Sequence, residues 1–267
     1  MIAQDTLAAA DLTGTLAALQ DSVRKSPADA RLRIFLFQLL CVTGDFKRAI
    51  AQLKLCAELD SSAEPMARTY REAIACELYR EKVFDGEKDP LIFGEPQEWV
   101  ALLLQALKTL AAGKPAEAAE LRARAFELAP AEAGQINDTP FDWVADADSR
   151  IGPVLEAVID GKYYWLPFNL LRAVTLDPPA DLRDAVWMPA TLTFRNGGDT
   201  VALLPTRYAG TATKGNDAQK LSRATDWADL GSETFAGLGQ RLLATEAGDV
   251  ALMDLRSMTF GEGSADG

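Results

Sequence analysis

Histidine is absent from this chain of 267 residues. Its absence removes Ser-His-Asp and Cys-His catalysis, every His-ligated metal site and the HExxH zinc signature. Cysteine is scarce. Cys41, Cys56 and Cys76 are spaced by 15 and 20 residues, which matches no CxxC redox or metal pattern. All three lie among apolar residues in helical patterns and read as buried, reduced thiols. Long hydrophobic runs are missing too: the stretch from Trp99 to Leu104 falls well short of the ~18–20 residues a membrane helix needs. The N-terminal residues MIAQDTLAAADLTG carry Asp5 and Asp11 and no basic region, so they do not read as a secretory signal. The expectation is a soluble cytoplasmic protein. Positive charge is the minority, 27 basic against 39 acidic residues for a net of −12, which disfavours nucleic-acid and anionic-membrane partners.

What is present suits an ordinary globular chain: 48% hydrophobic and 25% charged residues. The first half reads as helix after helix, with apolar residues at i, i+3, i+4 and i+7. Three segments align without gaps: Ala10-Asp11-Leu12 ending at Pro27, Gly44-Asp45-Phe46 ending at Ser61, and Gly113-Lys114-Pro115 ending at Pro130. The turn positions lie 34 and then 69 residues apart, the second interval being close to twice the first. A period of about 34 is that of the tetratricopeptide repeat, a helix–turn–helix unit. Gly44 and Gly113 suit the left-handed backbone at a helix C-terminus. Ala49, Cys56, Ala118 and Ala125 fall where small side chains let paired helices approach, and Ala106 obeys the same rule. Phe37 departs from it. The expected helices are 4–25, 29–43, 45–60, 64–84, 96–112 and 115–129, with no leading helix for the first copy and a single long helix over 64–84. Helices 30–43 and 99–112 would line a concave groove suited to an amphipathic helix. On the middle repeat Arg31, Ile34, Phe35, Gln38 and Cys41 are the expected partner-binding residues, the alternative being that Ile34 and Phe35 are core. Between the helices, Asp85 to Pro96 reads as an ordered loop, with Leu91, Ile92 and Phe93 pinning it to the helical stack.

The expected fold class is α+β: a TPR-like helical domain over 1–130, a linker over 131–140, a small β-rich domain over 141–260 (a bent sheet or barrel with one short helix), and a disordered tail over 261–267. The short helix is placed at Ile151 to Asp160, stopping at Gly161. Strands are expected at Tyr163–Pro167, Arg172–Leu176, Trp187–Phe194, Thr200–Leu204, Gln240–Ala244 and Val250–Leu255, with Arg195 to Asp199 as a hairpin turn. Charge divides along the chain: residues 1–60 are net 0, 61–140 net −5 and 141–267 net −7, so a basic partner surface would be drawn to the later segments.

The chemistry-bearing residues assemble no nucleophile, base and oxyanion site. Asp142, Asp146 and Asp148 have the wrong spacing for a calcium loop; helix capping or a salt bridge to Arg150 explains them better. Gly237-Leu238-Gly239 is a lone GxG and reads as a turn. Arg183, Arg195 and Arg207 read as solvated or structurally paired rather than as an anion site. Trp143, Tyr163, Tyr164, Trp165 and Trp187 read as the core of the β-rich domain. No enzyme activity, cofactor or metal is expected.

Several long strings carry a family resemblance: ADARLRIFLFQLLC from Ala28 to Cys41, followed by Gly44-Asp45; YREAI from Tyr70; PLIFGEP from Pro90, with Trp99; DADSRIGP from Asp146; GKYYWLPF from Gly161; DLRDAVWMP from Asp181; and LPTRY from Leu204. In these the chain resembles the ImpE family, also called TagJ, accessory proteins of bacterial type VI secretion. Ala10 departs from the family by standing where glycine is common. The resemblance implies a non-catalytic adaptor that associates with the small sheath subunit TssB, through a helix near that subunit's N-terminus. It also implies a link to the recycling of contracted sheath by the ATPase ClpV. The alternative is a ligand-binding or enzymatic C-terminal domain that the helical repeats target.

Overall fold

The structure is a computed structural model that describes residues 2–95 and 97–261. Among the described residues seven helices come first: α1 (Ile2–Ala8), α2 (Leu12–Lys25), α3 (Ala30–Thr43), α4 (Phe46–Leu59), α5 (Glu64–Phe84), α6 (Glu98–Ala111) and α7 (Pro115–Leu128). The three aligned turn positions share one backbone state. Ala10, Gly44 and Gly113 have φ of 56°, 80° and 78°. The following residue is the N-cap of a new helix each time, and Asp11 and Asp45 cap theirs by accepting from the main-chain N–H of Gly14 and Arg48. The helices therefore pair as α1–α2, α3–α4 and α6–α7. Two expectations change here. The helix expected over 4–25 is two helices, and α1 is the leading helix thought missing from the first copy, because Ala10 takes the left-handed turn despite its side chain. The small residues at the pairing positions are buried as expected: Ala49, Cys56, Ala118 and Ala125 are each at most 1% exposed. α5 is one long helix, with Pro65 in its first turn.

The rest is mostly strand. β1 (Leu91–Ile92) precedes α6. Then follow β2 (Gly134–Ile136), β3 (Thr139–Phe141), β4 (Val144–Asp146), β5 (Val154–Ile159), β6 (Lys162–Pro167), β7 (Leu171–Thr175), β8 (Trp187–Phe194) and β9 (Asp199–Pro205). Two four-residue helices, α8 (Thr211–Lys214) and α9 (Asp217–Lys220), lead to β10 (Thr225–Asp229), β11 (Phe235–Gly239), β12 (Leu242–Thr245), β13 (Gly248–Ala251) and β14 (Ser257–Phe260). Nine strands form one open sheet in the order β1-β6-β5-β9-β8-β7-β14-β2-β3; β4 joins β12 and β13, and β10 pairs with β11. The chain is thus α+β, helices before sheet, and the large sheet does not close into a barrel.

Several local expectations are corrected. The segment expected as a helix over 151–160 is β5, with all six residues buried. Its edges pair with β6 and β9 and a core covers each of its faces, so its apolar run does not alternate. Asp160 and Gly161, with φ of 48° and 69°, make the tight turn into β6, which is hairpin chemistry rather than a helix stop. Gly237 to Gly239 belong to β11 rather than to a turn; a Cβ on Gly237 would lie 2.2 Å from the Tyr208 ring. Residues 131–140, expected as a linker, carry β2 and the start of β3. After Ala251 the expected strand gives way to a 3-10 turn over Leu252–Asp254. The loop from Asp85 is pinned to the sheet rather than to the helices alone: β1 runs parallel to β6, and Phe93 stacks on Phe194 at 4.4 Å between ring centroids. The β8–β9 hairpin is as expected, with Gly197 left-handed in its turn. Gly261 precedes a segment, 262–267, that lies outside the described residues.

The sheet has a core on each face. Alternation along β5 sends Val154 and Val158 to the helical side, where they join Phe37, Tyr70, Phe84, Trp165 and Trp187. Leu155, Ala157 and Ile159 face the opposite side, with Leu166, Leu192, Leu243 and Met258. Aromatic rings tie helix to sheet: Tyr70 lies 5.6 Å from Phe37 and 6.1 Å from Trp187.

Candidate functional site

The N-terminal hairpins leave a groove of about 460 Å³ between α2 and α3, lined by Ala17, Ala18, Leu19, Ser22, Leu32 and Phe35 among others. Its wall is apolar, with Asp21 and Lys25 at the rim. The five residues singled out on α3 do not all reach it. Phe35 lines the groove, and Arg31 is exposed at the start of the helix. Ile34 and Phe35 are half-buried and pack against the helical core. Gln38 is 6% exposed and Cys41 fully buried. Burial pushes the Cys41 thiol far above its ordinary range. From Leu36 to Val42 every residue of α3 is buried, because α4 covers one side and a 3-10 turn, Leu182–Ala185, covers another. Residues of α6 do not line this groove. The missed contributors are on α1 and α2, and the repeat alignment that placed a turn at Ala10 held the signal for them.

A second site lies where α5 meets the sheet. Glu156 of β5 is fully buried on the helical face, and Arg80 of α5 grips it bidentately, Nε to Oε1 at 2.6 Å and Nη2 to Oε2 at 2.8 Å. Arg241 also donates to Glu156, and Tyr163 donates its hydroxyl to the same carboxylate. Trp165 Nε1 donates to Tyr163 at 2.8 Å. Arg80 reaches Glu77 at 3.3 Å, and Arg241 Nε lies 3.3 Å from Asp146 Oδ2. Two cations thus meet three carboxylates with almost no access to solvent. Burial, opposed by Arg241, raises the Asp146 carboxyl to about 6. Burial likewise lowers Arg241 to about 10. Below about pH 6 a proton on Asp146 balances the charges. The arrangement clamps helix to sheet. No sequence motif marks it, since its partners stand 76 and 85 residues apart.

The other polar residues are structural. Asp148 holds Arg150 in a bidentate pair at 2.6–3.2 Å, the salt bridge expected for it, and accepts from the main-chain N–H of Gly237. Asp142 is exposed, and its N–H donates to Glu246. Among the described residues no group of three or more metal-type ligands gathers. Arg183 pairs with Asp181 and lies over Tyr70, Arg195 pairs with Glu132, and Arg207 donates to the main-chain carbonyls of Val42, Cys41 and Lys220. Of the aromatic set, Tyr163, Trp165 and Trp187 are core, Tyr164 is half-buried, and Trp143 is 40% exposed. All three cysteines are unpaired and buried. Among the described residues no helix is long and apolar enough to cross a membrane.

Comparison with known proteins places the chain. A sequence profile of the ImpE protein family matches residues 138–259. A curated relative from Pseudomonas aeruginosa, described as the type VI secretion system accessory component TagJ, is 53% identical over 260 residues, covering 97% of this chain and 91% of the relative. The chain belongs to the ImpE family. The fold of this ImpE-family chain also matches a solved one: the crystal structure of protein VPA1032 from Vibrio parahaemolyticus superposes with a TM-score of 0.89 at 26% identity, covering 99% of both chains. The strings from Asp146, Gly161, Asp181 and Leu204 lie inside the profile match. Those from Ala28, Tyr70 and Pro90 lie outside it, and the relative's coverage extends over nearly all of this chain.

Proposed function

We propose that this ImpE-family protein is an accessory component of type VI secretion that works as a non-catalytic adaptor in the cytoplasm. Its α2–α3 groove receives an amphipathic helix of the small sheath subunit TssB, and through that contact it serves ClpV-dependent recycling of the sheath. The observation that carries the first part is 53% identity across 97% of the chain to a protein described as an accessory component of that system. The groove supports the second. It is apolar, open, about 460 Å³ in volume and bounded by helices on both sides, which suits the apolar face of one further helix. The adaptor reading is supported by the lack of histidine and by the enclosure of the polar cluster, whose acids and bases are spent on one another.

The test is a titration of the full chain with a synthetic peptide of the first TssB helix. Saturable binding by ~100 µM is expected, and no binding at that concentration to folded protein would count against the groove.

A further inference from the structure

Among the described residues β10 has a neighbour on one side only: it pairs antiparallel with β11 in a sheet of two strands. The ladder is bracketed by Gln240 N–H donating to the Ala224 carbonyl at 2.9 Å and Leu230 N–H donating to the Thr234 carbonyl at 2.8 Å. Even-numbered residues therefore turn their main-chain groups to β11. Thr225, Trp227 and Asp229 turn theirs outward. From Asp226 to Asp229 every residue is exposed.

The partner strand β11 and its turn are tied to the rest of the fold. Arg122 of α7, 8% exposed, donates to Thr234 Oγ1 at 2.7 Å and to the carbonyl of Glu233 at 3.3 Å. On the far side of β11, Ser149 Oγ donates to the Phe235 carbonyl, and Gly237 N–H donates to Asp148. The edge also carries anchors. Trp227 is 41% exposed, with its ring 5.5 Å from Tyr208, and Leu230 and Phe235 are 38% and 45% exposed. The exposed charges on the strand and its turn are acidic, whereas Arg122 is buried against the turn and Arg150, paired with Asp148, and Lys214 line the pocket beside Ala228 and Leu230. Asp226 accepts from Gln219 and Asp229 from the N–H of Gly231, both neutral donors, and Glu233 is exposed at the turn. The cation nearest in sequence, Arg223, is tied to the carbonyls of Leu7 and Ala8.

We propose that β10 is a docking edge for an extended, basic segment of another protein, which adds to it as a third strand. Main-chain hydrogen bonds to Thr225, Trp227 and Asp229 would supply register, and Asp226 and Asp229, on opposite faces of the strand, would each favour lysine or arginine on its own face. The same carboxylates oppose a second copy of this chain, since two such edges would bring like charges together. This surface is distinct from the α2–α3 groove, so its fate is independent of that reading.

The test uses the full chain and three probes: a six-residue peptide alternating lysine and valine, its glutamate counterpart, and the lysine peptide N-methylated at alternate amides. The readout is hydrogen exchange at individual amides. The lysine peptide is expected to slow exchange at Trp227 and Asp229 by about tenfold at saturation, and this protection should weaken with added salt. The other two probes should give none, and Asp226→Lys with Asp229→Lys should abolish it. The proposal fails if the lysine peptide at ~1 mM leaves these amides unchanged, if the glutamate peptide protects them equally, or if protection maps to α2 and α3 instead. Protection of β10 that grows with protein concentration alone would name a second copy as occupant and overturn it too.

Discussion

The hairpin of α6 and α7 buries Ala106, Ala118 and Ala125, whereas the junction of α5 with the sheet buries Arg80, Glu156 and Arg241. In the first region helices approach because their side chains are small, and the gain is contact area. In the second, an arginine on a helix is held by a carboxylate 76 residues away, and each charge is tolerable only because the others are present. One joint tolerates modest change in shape but not in volume. The other tolerates neither loss nor addition of a charge. The exposed groove lies in the first kind of region, where a further helix can be added without disturbing an ion.

The comparison breaks most visibly if the charged joint is cut. Arg80→Ala leaves Glu156 and Glu77 under-compensated, and the expected loss is about 3–5 kcal/mol in urea unfolding. A loss under about 1 kcal/mol would show that solvent reaches the cluster and that the contrast is false.

Titration comes next. Asp146 holds its proton more tightly in the folded chain than in the unfolded one, where its ordinary value is 3.8. Its contribution is complete below about pH 4 and is lost as pH rises through about 6. Asp146→Asn fixes the neutral state, so between pH 5 and 8 its stability profile should be flatter than that of the natural chain. The difference should be about 1.4 kcal/mol between pH 5 and 8. Parallel profiles would place the proton elsewhere in the cluster.

Volume is the sharper probe of the helical joint. Ala125→Leu, at a fully buried position, should cost about 1–3 kcal/mol by overpacking, seen as a lowered urea midpoint. The smallest effect is a gain. Ala10 sits at φ 56°, so Ala10→Gly should stabilise by about 1 kcal/mol, whereas Gly44→Ala should destabilise.

The same contrast explains what could be read from the residues. Helical periodicity and small residues at fixed spacing are local, so α2 to α7 and their pairing positions were legible. Ala10 was recognised as a turn position, yet the helix was carried through it because alanine favours helix. β5 was misread because a strand covered on both faces has no alternation, and Val-Leu-Glu-Ala-Val-Ile carries both helix and strand formers. The Asp160-Gly161 pair held the correcting signal. β2, β3, β4, β10, β11 and β14 are three to five residues long, too short for a pattern to declare itself. The groove was only partly legible. A helical wheel for α3 gives its faces but not what covers them. Gln38 and Cys41 fell on the chosen stripe and lie in the core, while Ala17 and Ser22 on the neighbouring helix escaped notice. The ion cluster was invisible because charge pairing across such separations leaves no spacing to find.

The central claim is that the α2–α3 groove holds a partner helix, and Ala17 tests it most directly, being an exposed residue of the groove wall outside the core. The measurement is calorimetric binding of the TssB first-helix peptide to the natural chain and to Ala17→Arg, with the melting temperature of each recorded alongside. The account predicts affinity reduced by about tenfold or more at an unchanged melting temperature. Equal affinity for the two proteins, with both folded, would contradict it.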